Sequence, residues 1–158
     1  PIVYSDELTL SEELRKRGND ILSKKACIYH YLHMAKGNYR DYLQGQEVKI
    51  KKYFYVLRPI LACMWIEQYQ EIPPILFDTL LEMKGLDNEF LEEVNQLLVR
   101  KKQGDELDLE PKKRILNHFI EEKIKFFEEY VKEITETNSM NIEVFNNLFR
   151  KTLKQTWE

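Results

Sequence analysis

Glycine and proline are scarce, five of each in 158 residues, and cysteine is scarcer still at two. So little glycine and proline excludes a glycine-serine or proline-rich linker dividing the chain. Cys27 and Cys63 lie far apart with no CxxC spacing, which excludes a disulfide framework and a cysteine zinc cluster; a reducing, cytoplasmic setting is the expectation. A long apolar run is missing too. The longest nearly uninterrupted one, Pro59 to Ile66, is less than half of the roughly 20 residues a membrane span needs, so none is expected. Nor is there an excess of one charge: 24 lysines and arginines against 27 aspartates and glutamates give a formal net charge of -3. That excludes a general nucleic-acid coat and confines any basic site to a local patch. Residues Pro1 to Glu7 have neither the basic start nor the apolar core of a targeting signal, and the missing initiator methionine points to a fragment.

What is present is the balance of one globular domain, 43% hydrophobic and 32% charged. Folding a chain of this length buries roughly two-thirds of its unfolded surface, enough for one core over residues 1–158 without staples. Apolar residues recur at three- and four-residue spacing and no convincing strand pattern is seen, so the expectation is an all-α helical bundle. A first helix is expected from Thr9 or Ser11 to Leu22, and a second from Ala26 to Leu43, burying Ile28, Leu32, Ala35, Tyr39, Tyr42 and Leu43. The third, Val48 to Tyr69, is apolar or aromatic on every side from Tyr53 to Ile66 apart from Arg58 and Pro59, so it should be central and buried. Pro59 removes the amide that would bond the carbonyl of Tyr55, which predicts a kink or a break. Further helices are expected over Ile75 to Met83, Asn88 to Lys102 with Asn88 as cap, a long one opened by Pro111, and a last one from Asn141. The Pro111 helix should present Ile115, Phe119, Phe126, Phe127, Val131 and Ile134 on one face, and Gly104 to Glu110 should be a polar loop.

Charge is unevenly spread along this frame. Residues 29 to 58 hold Lys36, Arg40, Lys49, Lys51, Lys52 and Arg58 against Asp41 and Glu47, together with six of the nine tyrosines. Cations interleaved with rings suit phosphate neutralisation plus base stacking, the attractions a nucleotide or single-stranded nucleic acid offers. At helical spacing Lys51, Tyr55 and Arg58 share a face with Lys52 at its edge, and Tyr29, His33, Lys36 and Arg40 form a similar row on the preceding helix. The competing reading is a solvated helix start with core tyrosines whose hydroxyls reach water. Arg58 is sharper, because a guanidinium inside an apolar run needs a partner: Asp41, Glu47 or a ligand anion.

Other constellations are weaker. His30 and His33 lack a third metal ligand at completing spacing. Arg114 and His118 resemble the arginine-to-histidine motif of helical HEPN ribonucleases, but with fewer intervening residues than that family uses. Glu106, Asp108 and Glu110 alternate like metal-binding carboxylates, yet no phosphate-binding Gly-Ser turn lies upstream, so a solvated loop is the preferred reading. Cys27 and Cys63 read as small core residues. No catalytic or metal-binding residue is assigned.

The segments Pro1-Ile-Val-Tyr4, Tyr31-Leu-His-Met-Ala35, Asn38-Tyr-Arg-Asp-Tyr-Leu-Gln-Gly45 and Lys51-Lys-Tyr-Phe-Tyr-Val-Leu-Arg-Pro-Ile-Leu-Ala62 with Trp65-Ile66 carry a resemblance. It extends through Pro73-Pro74 and Leu97-Leu-Val-Arg-Lys-Lys102, and covers most of the chain up to the long helix. Together they resemble the C-terminal helical part of predicted nucleotidyltransferases of the DNA polymerase beta superfamily, the YcgL-like group. The resemblance implies a whole protein that transfers a nucleoside monophosphate to an acceptor. Its N-terminal nucleotidyltransferase domain would carry a Gly-Ser turn and an Asp-x-Asp pair holding magnesium, and would be the natural partner of this chain. This chain has neither motif and should not catalyse the transfer alone, nor is a cofactor expected in it. The expected role is to position nucleotide or RNA through Lys51, Lys52, Tyr55 and Arg58, supported by Tyr29, His33, Lys36 and Arg40. The alternative is a non-catalytic helical module that binds a protein partner or RNA. An apolar face left by an absent domain would let the chain pair as a homodimer.

Overall fold

The computed structural model describes residues 10–18, 23–105, 108–135 and 142–157. The expected helix boundaries at Thr9, Leu22 and Asn141, the Pro1 to Tyr4 segment and Glu106 lie outside the described residues. Among the described residues seven helices and one pair of short strands follow in the order α1 (Leu10–Gly18), α2 (Lys24–Tyr42), β1 (Glu47–Lys49), α3 (Ile50–Tyr69), α4 (Phe77–Leu81), α5 (Asn88–Gln103), β2 (Leu109–Pro111), α6 (Arg114–Glu133) and α7 (Ile142–Trp157). The architecture is mostly α, as the periodicity predicts. Among the described residues no helix is long and apolar enough to cross a membrane.

Helix α3 is the axis of the fold, packed by α2, α4, α5 and α6. Ile50, Tyr53, Val56, Leu57, Ile60, Leu61 and Ile66 are each 1% exposed or less, as the all-round apolar run requires. Pro59 does not break it: one helix runs from Ile50 to Tyr69. The carbonyl of Tyr55 that Pro59 leaves without its amide accepts instead from Asn38 Nδ2 of α2 at 3.3 Å, and the same nitrogen donates to the Met34 carbonyl at 2.9 Å. Asn38→Ala is expected to cost about 1 kcal/mol. Pro59→Ala restores a helical amide to Tyr55, so in that background the cost should largely vanish; urea unfolding of both single variants and the double variant measures the coupling, and additive costs would refute this account.

Two expectations on boundaries are corrected. Asn88 is the first residue of α5 and Asp87 its N-cap. Pro111 does not open the long helix but ends strand β2, opposite Glu47 in an antiparallel pair with Val48 opposite Glu110 and Lys49 opposite Leu109. A proline fits there because the next amide, Lys112 N, carries the ladder on to the Gln46 carbonyl at 2.9 Å. At the other end Ile50 N donates to Asp108 O at 3.2 Å. Strands of three residues show no readable alternation, and the stretch expected as a polar loop therefore hides one.

The buried face of α6 also differs from expectation. Leu116, Asn117, Ile120, Phe127 and Val131 are buried, whereas Phe126 is 48% exposed and Ile115 and Phe119 are half-buried. Phe127 and Val131 join Ile28, Leu32, Cys63 and Ile66 in a cluster between α2, α3 and α6. On α2 the stripe Ile28, Leu32 and Ala35 is buried as expected, but Tyr42 is 41% exposed.

Candidate functional site

Between Ile50 and Cys63 the residues of α3 that escape burial are Lys51, Lys52, Tyr55 and Arg58. They form one stripe because positions 51, 55 and 58 are spaced one turn apart and 52 flanks them. Across the seam α2 answers with Tyr42, Asn38 and Tyr31. Lys52 Nζ stands 3.3 Å from the centroid of the Tyr42 ring and 4.9 Å from that of Tyr55, a cation held between two rings. Asn38 reaches the Tyr55 carbonyl. Burial pushes the Tyr31 hydroxyl above its ordinary range, and the positive charge of Arg58 opposes that shift.

Arg58 is half-buried and its Nη2 donates to the carbonyl of Ile75, in the loop after α3. Neither Asp41 nor Glu47 pairs with it: Asp41 Oδ1 is 2.9 Å from Arg40 Nε. Among the described residues Lys51, Lys52 and Arg58 have no carboxylate within ion-pair distance. Three uncompensated cations beside two half-exposed rings can attract a phosphate and offer a ring face to a base.

The second predicted row does not join this stripe. Tyr29, His33 and Lys36 lie on the other edge of α2, where they line a groove of about 430 Å³ with Glu128, Val131 and Lys132 of α6. Lys36 pairs with Glu128 and the largely exposed Arg40 with Asp41, so both cations are countered locally. The partners missing from the predicted set are Tyr31, Asn38 and Tyr42. Their spacing of seven and four residues puts them on one helical face, a signal legible once α2 and α3 are known to pack.

The remaining candidates are quickly placed. His30 packs edge-on against Tyr31 at 5.6 Å. Asp105, Asp108 and Glu110 converge on Arg100, and Glu110 also meets Lys113, so these acids are neutralised by protein cations. They do not fit a magnesium site, and among the described residues no three histidines, cysteines or acids gather as a metal centre. Burial pushes the Cys63 thiol up to about 12 and raises that of Cys27, which leaves both protonated near neutral pH.

Comparison with known proteins adds the lineage. The family model described as RlaP, RNA repair pathway DNA polymerase beta family, matches residues 1–151. The chain is 46% identical over 158 residues to the uncharacterized protein YcgL of Bacillus subtilis (strain 168), an alignment that takes in 99% of this chain and 60% of that protein. The chain therefore spans about 60% of the length of the curated relative it matches. No solved structure matches it. With its match running through the α3 stripe and over nearly all of its length, the chain belongs to the RNA repair pathway DNA polymerase beta family.

Proposed function

We propose that this chain is the substrate-positioning helical part of a nucleotidyltransferase of the DNA polymerase beta type, C-terminal to its catalytic domain in the whole protein. The whole protein transfers a nucleoside monophosphate from a nucleotide to an acceptor. The observation that carries this reading is the α3 stripe: Lys51, Lys52 and Arg58 without carboxylate partners, beside the half-exposed rings of Tyr42 and Tyr55. Arg58 anchors one nitrogen on the Ile75 carbonyl and keeps further N–H groups for a phosphate. Lys52 supplies a point charge between two rings, Lys51 a second one, and Tyr55 a face for stacking. Holding phosphate and base in one orientation lowers the entropic barrier to transfer, which is what a helical domain contributes when the metal-binding carboxylates stand elsewhere. Magnesium belongs, on this reading, to the catalytic domain. Ile75 and Leu76, exposed after Pro73 and Pro74, with the Ile75 carbonyl held by Arg58, give that domain an apolar edge to rest on.

Titration calorimetry with a nucleoside triphosphate and a short single-stranded RNA at low salt tests the site. Lys52→Ala and Arg58→Ala should each weaken binding about tenfold or more, the scale of one charge-assisted contact, while Lys36→Ala should leave it nearly unchanged because Glu128 already counters Lys36. Affinity should also fall steadily as salt rises. Binding that is unaltered in folded Lys52→Ala and Arg58→Ala proteins would remove the stripe from the substrate site.

A further inference from the structure

The α3 stripe is bordered by α2 on one side, and on the other it meets the end of α5. Phe54 lies on the same turns of α3 as the stripe, three residues after Lys51 and four before Arg58. Two residues on from Lys52, it points to nearly the opposite side of the helix, away from Tyr42. Its ring is 7% exposed, set edge-on against Phe77 of α4 at 5.4 Å, and covered by Lys101 of α5, whose Nζ stands 4.9 Å from the ring centroid. Phe54 therefore offers no free face for stacking; it seats a cation beside the stripe.

Lys101 is exposed and, among the described residues, has no carboxylate within ion-pair distance. The neighbouring acids Asp105, Asp108 and Glu110 lie instead on Arg100. Across α3 the order is Tyr42 of α2, then Lys52, then Tyr55 with Lys51 and Arg58, then Lys101 of α5. Four uncountered cations thus span the helix from one neighbour to the other, in a chain whose net charge is -3. Packed helices lie about 8–10 Å apart, so the track from α2 over α3 to α5 is roughly 16–20 Å wide. The triphosphate of one nucleotide is shorter than that and reaches the cations of one side only. A strand with a phosphate at every nucleotide reaches both, and the half-exposed rings of Tyr42 and Tyr55 give its bases faces to stack on.

We infer that the substrate held by the stripe is a single-stranded nucleic acid and not a free nucleotide, its backbone crossing α3 from Lys52 to Lys101 with Lys51 and Arg58 on the phosphates between. The inference rests on the substrate-positioning reading of the stripe and adds Lys101 to it. Fluorescence anisotropy on the 158-residue chain at low salt tests it, with labelled oligouridylates and oligothymidylates of two to eight residues, and with UTP as competitor. In at least one of the two series affinity should rise with length and end at least tenfold above that for UTP. Four phosphate contacts give a slope of log K against log salt of about -3. Lys101→Gln keeps most of the stem over Phe54 and removes the charge. It should weaken the longest strand at least threefold, make the slope shallower by about 0.7 and leave the affinity for UTP unchanged, and Lys101→Arg should restore strand binding. Strands that bind no tighter than UTP, or a Lys101→Gln protein with the strand affinity and slope of the original chain, would overturn the inference and leave the stripe standing. Strand binding indifferent to both Lys52→Ala and Arg58→Ala would remove the stripe itself, and this inference with it.

Discussion

Phe127→Ala is expected to lower the unfolding free energy by about 3–5 kcal/mol, whereas Phe126→Ala, one residue earlier, should change it by less than about 1 kcal/mol. Phe127 is 1% exposed and closes the cluster of Ile28, Leu32, Cys63 and Ile66. Its removal forfeits the transfer free energy of a ring and leaves a cavity where α6 crosses α2 and α3. Phe126 is half in solvent and stacks on Tyr130 with centroids 5.7 Å apart, a contact worth a fraction of the burial energy. Urea unfolding of the two variants reads the difference directly. Equal losses would mean that the face of α6 has been misassigned by one position.

Asn117→Leu should raise stability, by about 1–3 kcal/mol, because an apolar side chain of similar size removes the penalty of a buried carboxamide with no partner. A shift of the urea midpoint to higher concentration at unchanged slope is the expected result. A loss of similar size would show instead that the neighbouring Tyr53 hydroxyl satisfies the amide.

The course of the helices is legible in the sequence because amphipathic periods of 3.6 are long enough to read, and Gly104 ends α5 at a φ of 99° where its lack of a Cβ is needed. The central place of α3 follows from its apolar girth, and the stripe of Lys51, Lys52, Tyr55 and Arg58 from spacing alone. What spacing cannot supply is which edge of a neighbour faces that stripe. Charge drew attention to Tyr29, His33, Lys36 and Arg40, yet the packing of α2 on α3 turns Tyr31, Asn38 and Tyr42 to the seam. For Arg58 spacing leaves Asp41, Glu47 or a ligand anion as partner, and neither carboxylate reaches it: the chain returning after Pro73 and Pro74 brings it the Ile75 carbonyl. Asn117 was readable in principle: it sits in register with Ile120, Ile124, Phe127 and Val131, a polar residue in an apolar stripe.

The antiparallel pairing of Glu47–Lys49 with Leu109–Pro111 joins segments about 60 residues apart and sits directly ahead of α3 on one strand and just ahead of α6 on the other. Helical bundles ordinarily assemble quickly from near neighbours, but this clasp ties the phasing of two principal helices to one distant meeting. Until it closes, α2 and α3 can form an antiparallel hairpin while α6 has no fixed starting point against them. Refolding should therefore proceed in two kinetic stages, with the α2–α3 seam and its cationic stripe assembled first and the packing of α6 on α5 last.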